Sequence, residues 1–259
     1  DHIVGGDMNP EIDAIFLDVG NTLRIVVEDA EFSLQAKKDI MSLVGAAEPM
    51  EPFFKKLYER WNIYRRYSKT ELLEASELEL WTQWLLPEYP VDLIAPHAGR
   101  LTRLWRDRDG RRVPREDAKA TILELHRRGY LLGIIANTIT ETEILDWMMT
   151  DQVTGYFKTI ILSSKVRVRK PDPQIYWLAA RLVGVEPAKC AYLGDNPVRD
   201  VEGTRAAGYG MMILFEEPAT LAKEPQTGEQ KADYAIRTMS KLLNIFPERQ
   251  PIEAAHSTP

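Results

Sequence analysis

The sequence is poor in cysteine and has no long apolar segment. One cysteine among 259 residues, Cys190, excludes an intramolecular disulfide and is typical of a chain kept in a reducing compartment. No apolar run approaches the roughly 20 residues that a membrane-spanning helix needs, and no signal-peptide pattern opens the chain. We therefore predict a cytoplasmic protein without a membrane partner.

Basic charge is scarce relative to acidic charge, and histidine is rare. The 33 lysines and arginines are outnumbered by 39 aspartates and glutamates, which gives a formal net charge of −6. This balance argues against nucleic acid as the main partner, because binding a phosphate backbone requires a cationic surface. The 4 histidines have no metal-ligand spacing, so neither a histidine metal site nor a histidine-based triad is expected.

Short apolar segments alternate with amphipathic stretches in the second half of the chain. Segments 131–138 and 159–162 have the length and composition of buried strands, and residues 115–128 have helical spacing. Such alternation produces βαβ units with right-handed crossovers. We predict an α/β fold, a three-layer doubly wound parallel sheet. Further strands are expected at 191–193, 211–214 and 233–237, and further helices at 141–149, 173–182, 200–207 and 239–245.

The chain between the first and second strands is too long for a single crossover helix. Apolar residues recur at spacings of three and four over 31–44, 51–67, 70–86 and 91–107, and prolines separate the last two stretches. We predict a helical domain at 25–111, inserted into a core domain that comprises 12–24 and 112–246. The aperiodic ends, 1–11 and 247–259, are predicted to be disordered.

Polar residues follow several of the predicted strands. The apolar run ending at Leu17 is followed by Asp18, and later runs are followed by Asn137 and by Asp195, with Asp200 close behind. In a parallel sheet these residues reach one edge, where α/β proteins bind ligands. Because three converging carboxylates repel one another, we expect a divalent cation there, and hard oxygen ligands favour Mg²⁺.

Four motifs, in this order, resemble those of the haloacid dehalogenase (HAD) superfamily of hydrolases and phosphatases. They are Asp18-Val-Gly-Asn-Thr, the strand ending at Asn137-Thr138, Lys170-Pro-Asp-Pro, and Gly194-Asp-Asn-Pro-Val-Arg-Asp with the Val-Glu-Gly-Thr-Arg-Ala-Ala-Gly that follows. The resemblance covers residues 12–215. It implies a Rossmann-like core and identifies the helical insert as a cap that covers the active site and selects the substrate.

The resemblance also implies roles for individual residues. Asp18 would be the nucleophile, forming an aspartyl-phosphate on the way to hydrolysis. Lys170 would neutralise Asp18 and hold the phosphoryl group, with Asn137 and Thr138 beside the substrate. Mg²⁺ would be bound by Asp18, Asp195 and the main-chain carbonyl of Gly20, and Asp200 would support it. The implied partner is a small anionic substrate, phosphorylated in a phosphatase.

Two positions depart from the phosphatase pattern and leave alternatives open. The second aspartate of HAD phosphatases, which protonates the leaving alcohol, is replaced by Gly20, and the hydroxyl residue that ends strand two is replaced by Ala136. One reading is a Mg²⁺-dependent hydrolase whose substrate has a good leaving group, and another is a phosphatase with a different proton source. The alternatives are a metal-independent 2-haloacid dehalogenase and a catalytically weak scaffold that binds a ligand or protein. The family's charged residues are retained at Asp18, Lys170, Asp195 and Asp200, which favours an enzyme. The sequence leaves the oligomeric state open.

Overall fold

A six-stranded parallel sheet forms the centre of the structure, a computed structural model that describes residues 10–225 and 230–249. Its strand order is β5-β4-β1-β6-β7-β8, and every neighbouring pair is parallel. These strands are β1 (Ala14–Leu17), β4 (Leu131–Ala136), β5 (Thr159–Leu162), β6 (Cys190–Gly194), β7 (Met211–Phe215) and β8 (Tyr234–Ile236). The predicted parallel α/β sheet is confirmed.

Helices cover both faces of the sheet and make it the middle of three layers. Side chains alternate along β1, so Ile15 and Leu17 face one apolar cluster and Ala14 and Phe16 face the other. The core helices are α6 (Ala118–Arg127), α7 (Glu143–Thr150), α8 (Ser163–Val166), α9 (Pro173–Val183), α10 (Arg199–Ala207), α11 (Pro218–Lys223) and α12 (Leu242–Ile245). The doubly wound prediction is therefore confirmed.

The carboxyl ends of β1 and β6 mark the point where the chain changes direction across the sheet. From β1 the next sheet strand is β4 on one side, whereas from β6 the chain continues to β7 on the other side. A crevice opens between two adjacent strands whose connections leave in opposite directions. The residues that follow β1 and β6 are Asp18 and Asp195, so the topology itself brings them together.

The insert between β1 and β4 contains a helical body with its own apolar centre. Its helices are α1 (Ala30–Val44), α2 (Met50–Glu71), α3 (Glu77–Glu79), α4 (Val91–Ile94) and α5 (Ala98–Asp107), with a π-helical turn at Leu80–Leu85. Trp81 and Trp105 are buried in this body, and the Trp81 indole N–H donates to Thr102 at 2.9 Å. The chain enters and leaves through an antiparallel ribbon, β2 (Arg24–Val27) and β3 (Arg111–Pro114), that the sequence patterns did not predict.

The helix predicted over 70–86 is wrong in its first part. The α2 helix continues to Glu71, the chain turns at Leu72 with a φ of 55°, and helical structure resumes at Glu77. Between them the chain is extended and pairs with the core: Leu73 forms an antiparallel bridge with Val168, and Glu74 N donates to Arg167 O at 3.1 Å. Periodicity alone cannot reveal this pairing, because its partner lies almost 100 residues away in the chain.

The predicted disorder of the chain ends falls mostly outside the described residues, at 1–9 and 250–259. Within the described part, the Arg249 backbone N–H donates to Arg128 O at 3.2 Å, and the Tyr130 hydroxyl donates to Pro247 O at 2.7 Å. Residues 247–249 are thus attached to the core. Across residues 10–225 and 230–249, the helices lack the combination of length and apolar character that crossing a membrane requires.

Candidate active site

Three carboxylates meet at the carboxyl end of the sheet. Asp18 follows β1, Asp195 follows β6, and Asp200 is the second residue of α10. All three are buried, and one oxygen from each lies within 4.8 Å of the other two. The structure therefore brings together the three acidic residues that the strand ends predicted.

Lys170 contacts two of these carboxylates. Its Nζ lies 3.4 Å from Asp18 Oδ1 and 3.0 Å from Asp200 Oδ1, and its side chain is fully buried. The ammonium also donates to the Tyr192 hydroxyl, which in turn donates to Ile135 O at 3.1 Å. These contacts fix a buried cation beside the predicted nucleophile.

A second cation, Arg199, reaches the same carboxylates. Its Nη2 lies 3.5 Å from Asp18 Oδ2, and its Nε lies 3.2 Å from Asp200 Oδ1. Burial raises the pKa of the Asp200 carboxyl, but Arg199 and Lys170 outweigh burial, so that its pKa lies below the ordinary value. Lys170 and Arg199 therefore compensate the charges of Asp18 and Asp200.

Asp195 is the carboxylate that stays uncompensated. Among residues 10–225 and 230–249, no lysine, arginine or histidine lies within 4.0 Å of its oxygens, and its hydrogen-bond donor is the Thr220 hydroxyl at 2.5 Å. Burial raises the pKa of Asp195, and the charges of Asp18 and Asp200 raise it further. Lys170 and Arg199 thus contact two of the three carboxylates and leave the third, Asp195, in a buried site lined by oxygen atoms. This donor set fits a hard divalent cation such as Mg²⁺.

The two polar residues that follow β4 have different surroundings. The Asn137 side chain holds the Lys170 backbone: its Oδ1 accepts from Lys170 N at 2.8 Å, and its Nδ2 donates to Lys170 O at 3.0 Å. The Thr138 hydroxyl accepts from the Thr140 backbone N–H at 3.2 Å and from Arg106 at 3.4 Å. Substrate binding by Asn137 and Thr138 stays a prediction, and positioning of Lys170 is the contact that Asn137 makes.

A cavity of about 260 Å³ opens above the acidic cluster, between the core and the insert. Gly20 lines it, and a Cβ placed on Gly20 would meet no heavy atom within 4 Å. The cavity therefore has open space beside position 20. Its lining comprises Asp18, Gly20, Asn21, Arg65, Asn137, Arg169, Asp195, Asn196, Arg199 and Thr220.

Sequence reasoning missed three of the residues in this lining. Arg199 directly precedes Asp200, but a sequence does not show that its side chain turns inward. Thr220 lies on α11, a short helix that was not predicted, and reaches Asp195 across 25 residues of chain. Arg169 adjoins Lys170 and is buried against Glu74, with Nη1 to Oε1 at 3.3 Å. Direct adjacency to the Lys170 and Asp200 motifs was the available signal for Arg169 and Arg199.

Comparison with known proteins decides the family. The family model described as haloacid dehalogenase-like hydrolase matches residues 12–208. The chain belongs to the haloacid dehalogenase-like hydrolases. The resemblance drawn from the four motifs is confirmed, and the protein is a hydrolase.

Two relatives of this haloacid dehalogenase-like hydrolase are phosphatases by name. The chain is 27% identical over 221 residues to phosphoserine phosphatase of Thermus thermophilus, covering 75% of this chain and 85% of that protein. It is 27% identical over 240 residues to glyceraldehyde 3-phosphate phosphatase of Pyrococcus furiosus, covering 91% of this chain and 93% of that protein. The crystal structure of 2-haloacid dehalogenase from Pseudomonas syringae pv. Tomato has a TM-score of 0.66 and 16% identity over 90% of this chain and 97% of that chain, which shows the shared fold.

Proposed function

We propose that this haloacid dehalogenase-like hydrolase is a Mg²⁺-dependent phosphohydrolase that acts on small phosphorylated substrates through an aspartyl-phosphate on Asp18. The observation that carries the proposal is the buried contact of Asp18 with Lys170 beside Asp195, a carboxylate that no cation of the described residues contacts. Relatives that are phosphatases by name, two of which are described above, support phosphoryl transfer. A cytoplasmic location stays a prediction from the low cysteine content.

Asp18 would supply the nucleophile. One of its oxygens forms a bond to phosphorus in line with the leaving group, and the bond between phosphorus and the leaving oxygen breaks. Water then attacks the phosphorus of the aspartyl-phosphate, which releases phosphate and restores the carboxylate. Lys170 neutralises Asp18 in the resting enzyme and binds phosphoryl oxygens during transfer, while Asn137 fixes the backbone of Lys170.

Asp18, Asp195 and the carbonyl of Gly20 would hold Mg²⁺, with Asp200 in support. Bound there, the ion supplies positive charge to the phosphoryl oxygens. Thr220 holds Asp195 through its hydroxyl, and Arg199 and Lys170 hold Asp200. These contacts orient the metal ligands, as hydrogen bonds from surrounding residues to metal ligands generally do.

Gly20 and Ala136 limit the range of substrates that the site could hydrolyse. Without a carboxyl group at position 20, the chain has no acid at the place where phosphatases of this superfamily protonate the leaving oxygen, and Ala136 offers no hydroxyl to the phosphoryl group. General acid catalysis contributes about 10² to 10⁴ in rate. The proposed substrates are therefore those whose leaving group departs without a proton.

The other two readings are less well supported by the site. In a metal-independent dehalogenase, Asp195 would face an anionic substrate as an uncompensated carboxylate, and the two charges would repel each other. A scaffold without chemistry has no use for three buried carboxylates and two cations, since burying them costs free energy. Both readings are outcomes of the following test.

Phosphate release from acetyl phosphate tests the proposal, measured with Mg²⁺ and with EDTA. We expect turnover by the native protein only with Mg²⁺ and none by Asp18→Asn. Asp92→Asn, which alters an exposed carboxylate of the insert, should match the native protein. Turnover by Asp18→Asn, or equal turnover in EDTA, would overturn the proposal. Chloride release from 2-chloropropionate in EDTA would favour the dehalogenase, and no turnover of either substrate would favour the scaffold without chemistry.

A further inference from the structure

Arg65 is a cation of the insert that faces the catalytic cavity without a carboxylate partner. It lies on α2, is half-buried, and lines the cavity of about 260 Å³ together with Asp18. Its guanidinium lies over the Trp61 ring, 5.6 Å from the centroid. Within residues 10–225 and 230–249, no carboxylate oxygen lies within 4.0 Å of it, although the other arginines of the cavity are paired.

The pairing of those other arginines makes Arg65 distinct. Arg199 is engaged by Asp18 and Asp200, and Arg169 is engaged by Glu74 at 3.3 Å and by the Ser68 hydroxyl at 2.9 Å. Burial lowers the pKa of Arg65, and the charge of Arg169 lowers it further. A partly buried guanidinium beside two other cations is unfavourable on its own, and an anion placed against it would relieve the repulsion.

The direction of the reaction decides which part of a substrate Arg65 meets. Asp18 extends from the carboxyl end of β1 and attacks from the core side, so in-line displacement makes the leaving group point away from the sheet. Among the residues that line the cavity, Arg65 is the one that belongs to the insert, and it lies on α2. Lys170 and Arg199 approach from the core side, where the phosphoryl group would be held. Arg65 is therefore the cation of this lining that is available to the leaving group.

We propose that Arg65 binds the leaving group as an oxyanion, and that the substrates are phosphoric anhydrides in which the transferred phosphoryl group is joined to a second phosphate or to a carboxylate. This inference rests on the proposed function. As the bond from Asp18 to phosphorus forms, the bond from phosphorus to the bridging oxygen breaks. The electron pair stays on that oxygen, which leaves unprotonated beside Arg65, and water then hydrolyses the aspartyl-phosphate.

Two features of the cavity agree with this substrate class. Gly20 provides no proton donor, and an anhydride requires none because its leaving group is a stable anion. Size is the second feature: the cavity of about 260 Å³ is close to the lower end of ligand sites, which measure roughly 300 to 1,000 Å³. That space suits a small anhydride. A guanidinium matches phosphate and carboxylate oxygens with two parallel N–H donors.

The test compares kcat/KM for three substrates with Mg²⁺: pyrophosphate, acetyl phosphate and p-nitrophenyl phosphate. The variants are Arg65→Gln, Arg65→Lys and, as a matched control, Arg66→Gln, which removes the same charge from the exposed neighbouring position. We expect Arg65→Gln to lower kcat/KM for its anhydride substrate by a factor of about 10² to 10³, the usual effect of removing one hydrogen-bond donor to a developing oxyanion. The loss on p-nitrophenyl phosphate should be less than about tenfold, because that leaving anion spreads its charge over the ring.

Arg65→Lys should recover part of the loss, and Arg66→Gln should behave as the native protein. Sensitivity confined to pyrophosphate identifies phosphate as the second group, and sensitivity confined to acetyl phosphate identifies carboxylate. An equal loss on all three substrates, or no loss on either anhydride, would overturn the inference while leaving phosphohydrolase activity intact. Inertness of the native protein on all three substrates would instead refute the proposed function.

Discussion

Asn137 and Lys170 exchange two hydrogen bonds between the end of β4 and the loop before α9. The side-chain oxygen of Asn137 accepts from Lys170 N at 2.8 Å, and its amide nitrogen donates to Lys170 O at 3.0 Å. Because β4 lies next to β1 in the sheet, this pair sets the position of Lys170 relative to Asp18. Asn137 thereby controls the position of the cation that contacts Asp18.

Replacing Asn137 by alanine should displace Lys170 and lower kcat. A misplacement of about 1 Å at a reacting group costs up to about 10²-fold in rate, so we expect a decrease of about 10- to 100-fold in kcat on acetyl phosphate with a smaller change in KM. Steady-state kinetics measure both, and Asn62→Ala, on the exposed face of α2, is the control. Native kcat in Asn137→Ala would show that Lys170 needs no such support.

Gly20→Asp should add the missing proton donor. A Cβ at position 20 meets no heavy atom within 4 Å, and a general acid helps poor leaving groups most. We expect the ratio of kcat/KM on phenyl phosphate to that on acetyl phosphate to rise by at least tenfold. Gly20→Ala adds the Cβ without the carboxyl group and should leave the ratio unchanged. If both variants change it equally, the effect is steric and the acid hypothesis fails.

Loss of the Thr220 hydroxyl should weaken Mg²⁺ binding. The Thr220 hydroxyl donates to Asp195 at 2.5 Å. Hydrogen bonds from surrounding residues to metal ligands typically contribute 10- to 100-fold to the affinity for the metal. Thr220→Val keeps the shape and removes the donor, so calorimetric titration should give a dissociation constant about 10 times higher. Thr220→Ser should remain within about threefold of the native protein. Unchanged Mg²⁺ affinity in Thr220→Val would mean that Asp195 needs no orienting donor.

Low pH should destabilise the junction of insert and core, because the Glu143 carboxylate becomes protonated. Its carboxylate pairs with Arg24 at 2.5 Å and with Arg106 at 3.0 Å. Burial raises the pKa of Glu143, but the two arginines outweigh burial and lower it from 4.5 to about 2. A carboxyl group whose pKa is lowered by folding stabilises the folded state at pH values above its pKa in the unfolded chain. This contribution is lost as the pH falls from about 4.5 towards 2.

Glu143→Gln should therefore reduce the free energy of unfolding by about 3 kcal/mol at pH 7, with the difference from the native protein shrinking below pH 4. Urea denaturation at a series of pH values measures this. Glu124→Gln removes a carboxylate that pairs with Arg127 and Arg128 near the surface and should have a much smaller effect, because solvent screens exposed pairs. A pH-independent difference in Glu143→Gln would place its effect in packing instead.

The sequence was sufficient for the sheet and for the residues that follow its strands. Asp18 and Asp195 stand directly after short apolar runs, and parallel topology then requires them to meet. Contacts made by long side chains were not predictable in the same way. Arg199 could equally have faced solvent from the start of α10, and the Lys170 contact with Tyr192 depends on the packing of α9 against the sheet. Backbone pairing between distant segments, as at Leu73 and Val168, leaves no periodic signal at all.

That pairing changes how the insert can move. Besides the β2–β3 ribbon through which the chain enters and leaves, the insert is fastened where Leu72, Leu73 and Glu74 run antiparallel to residues 167–169. Buried Glu74 adds contacts to Arg169 and to the Ser163 hydroxyl at 2.9 Å. Motion of the insert relative to the core must therefore bend the ribbon and also bend or break this second attachment, including the buried contacts of Glu74.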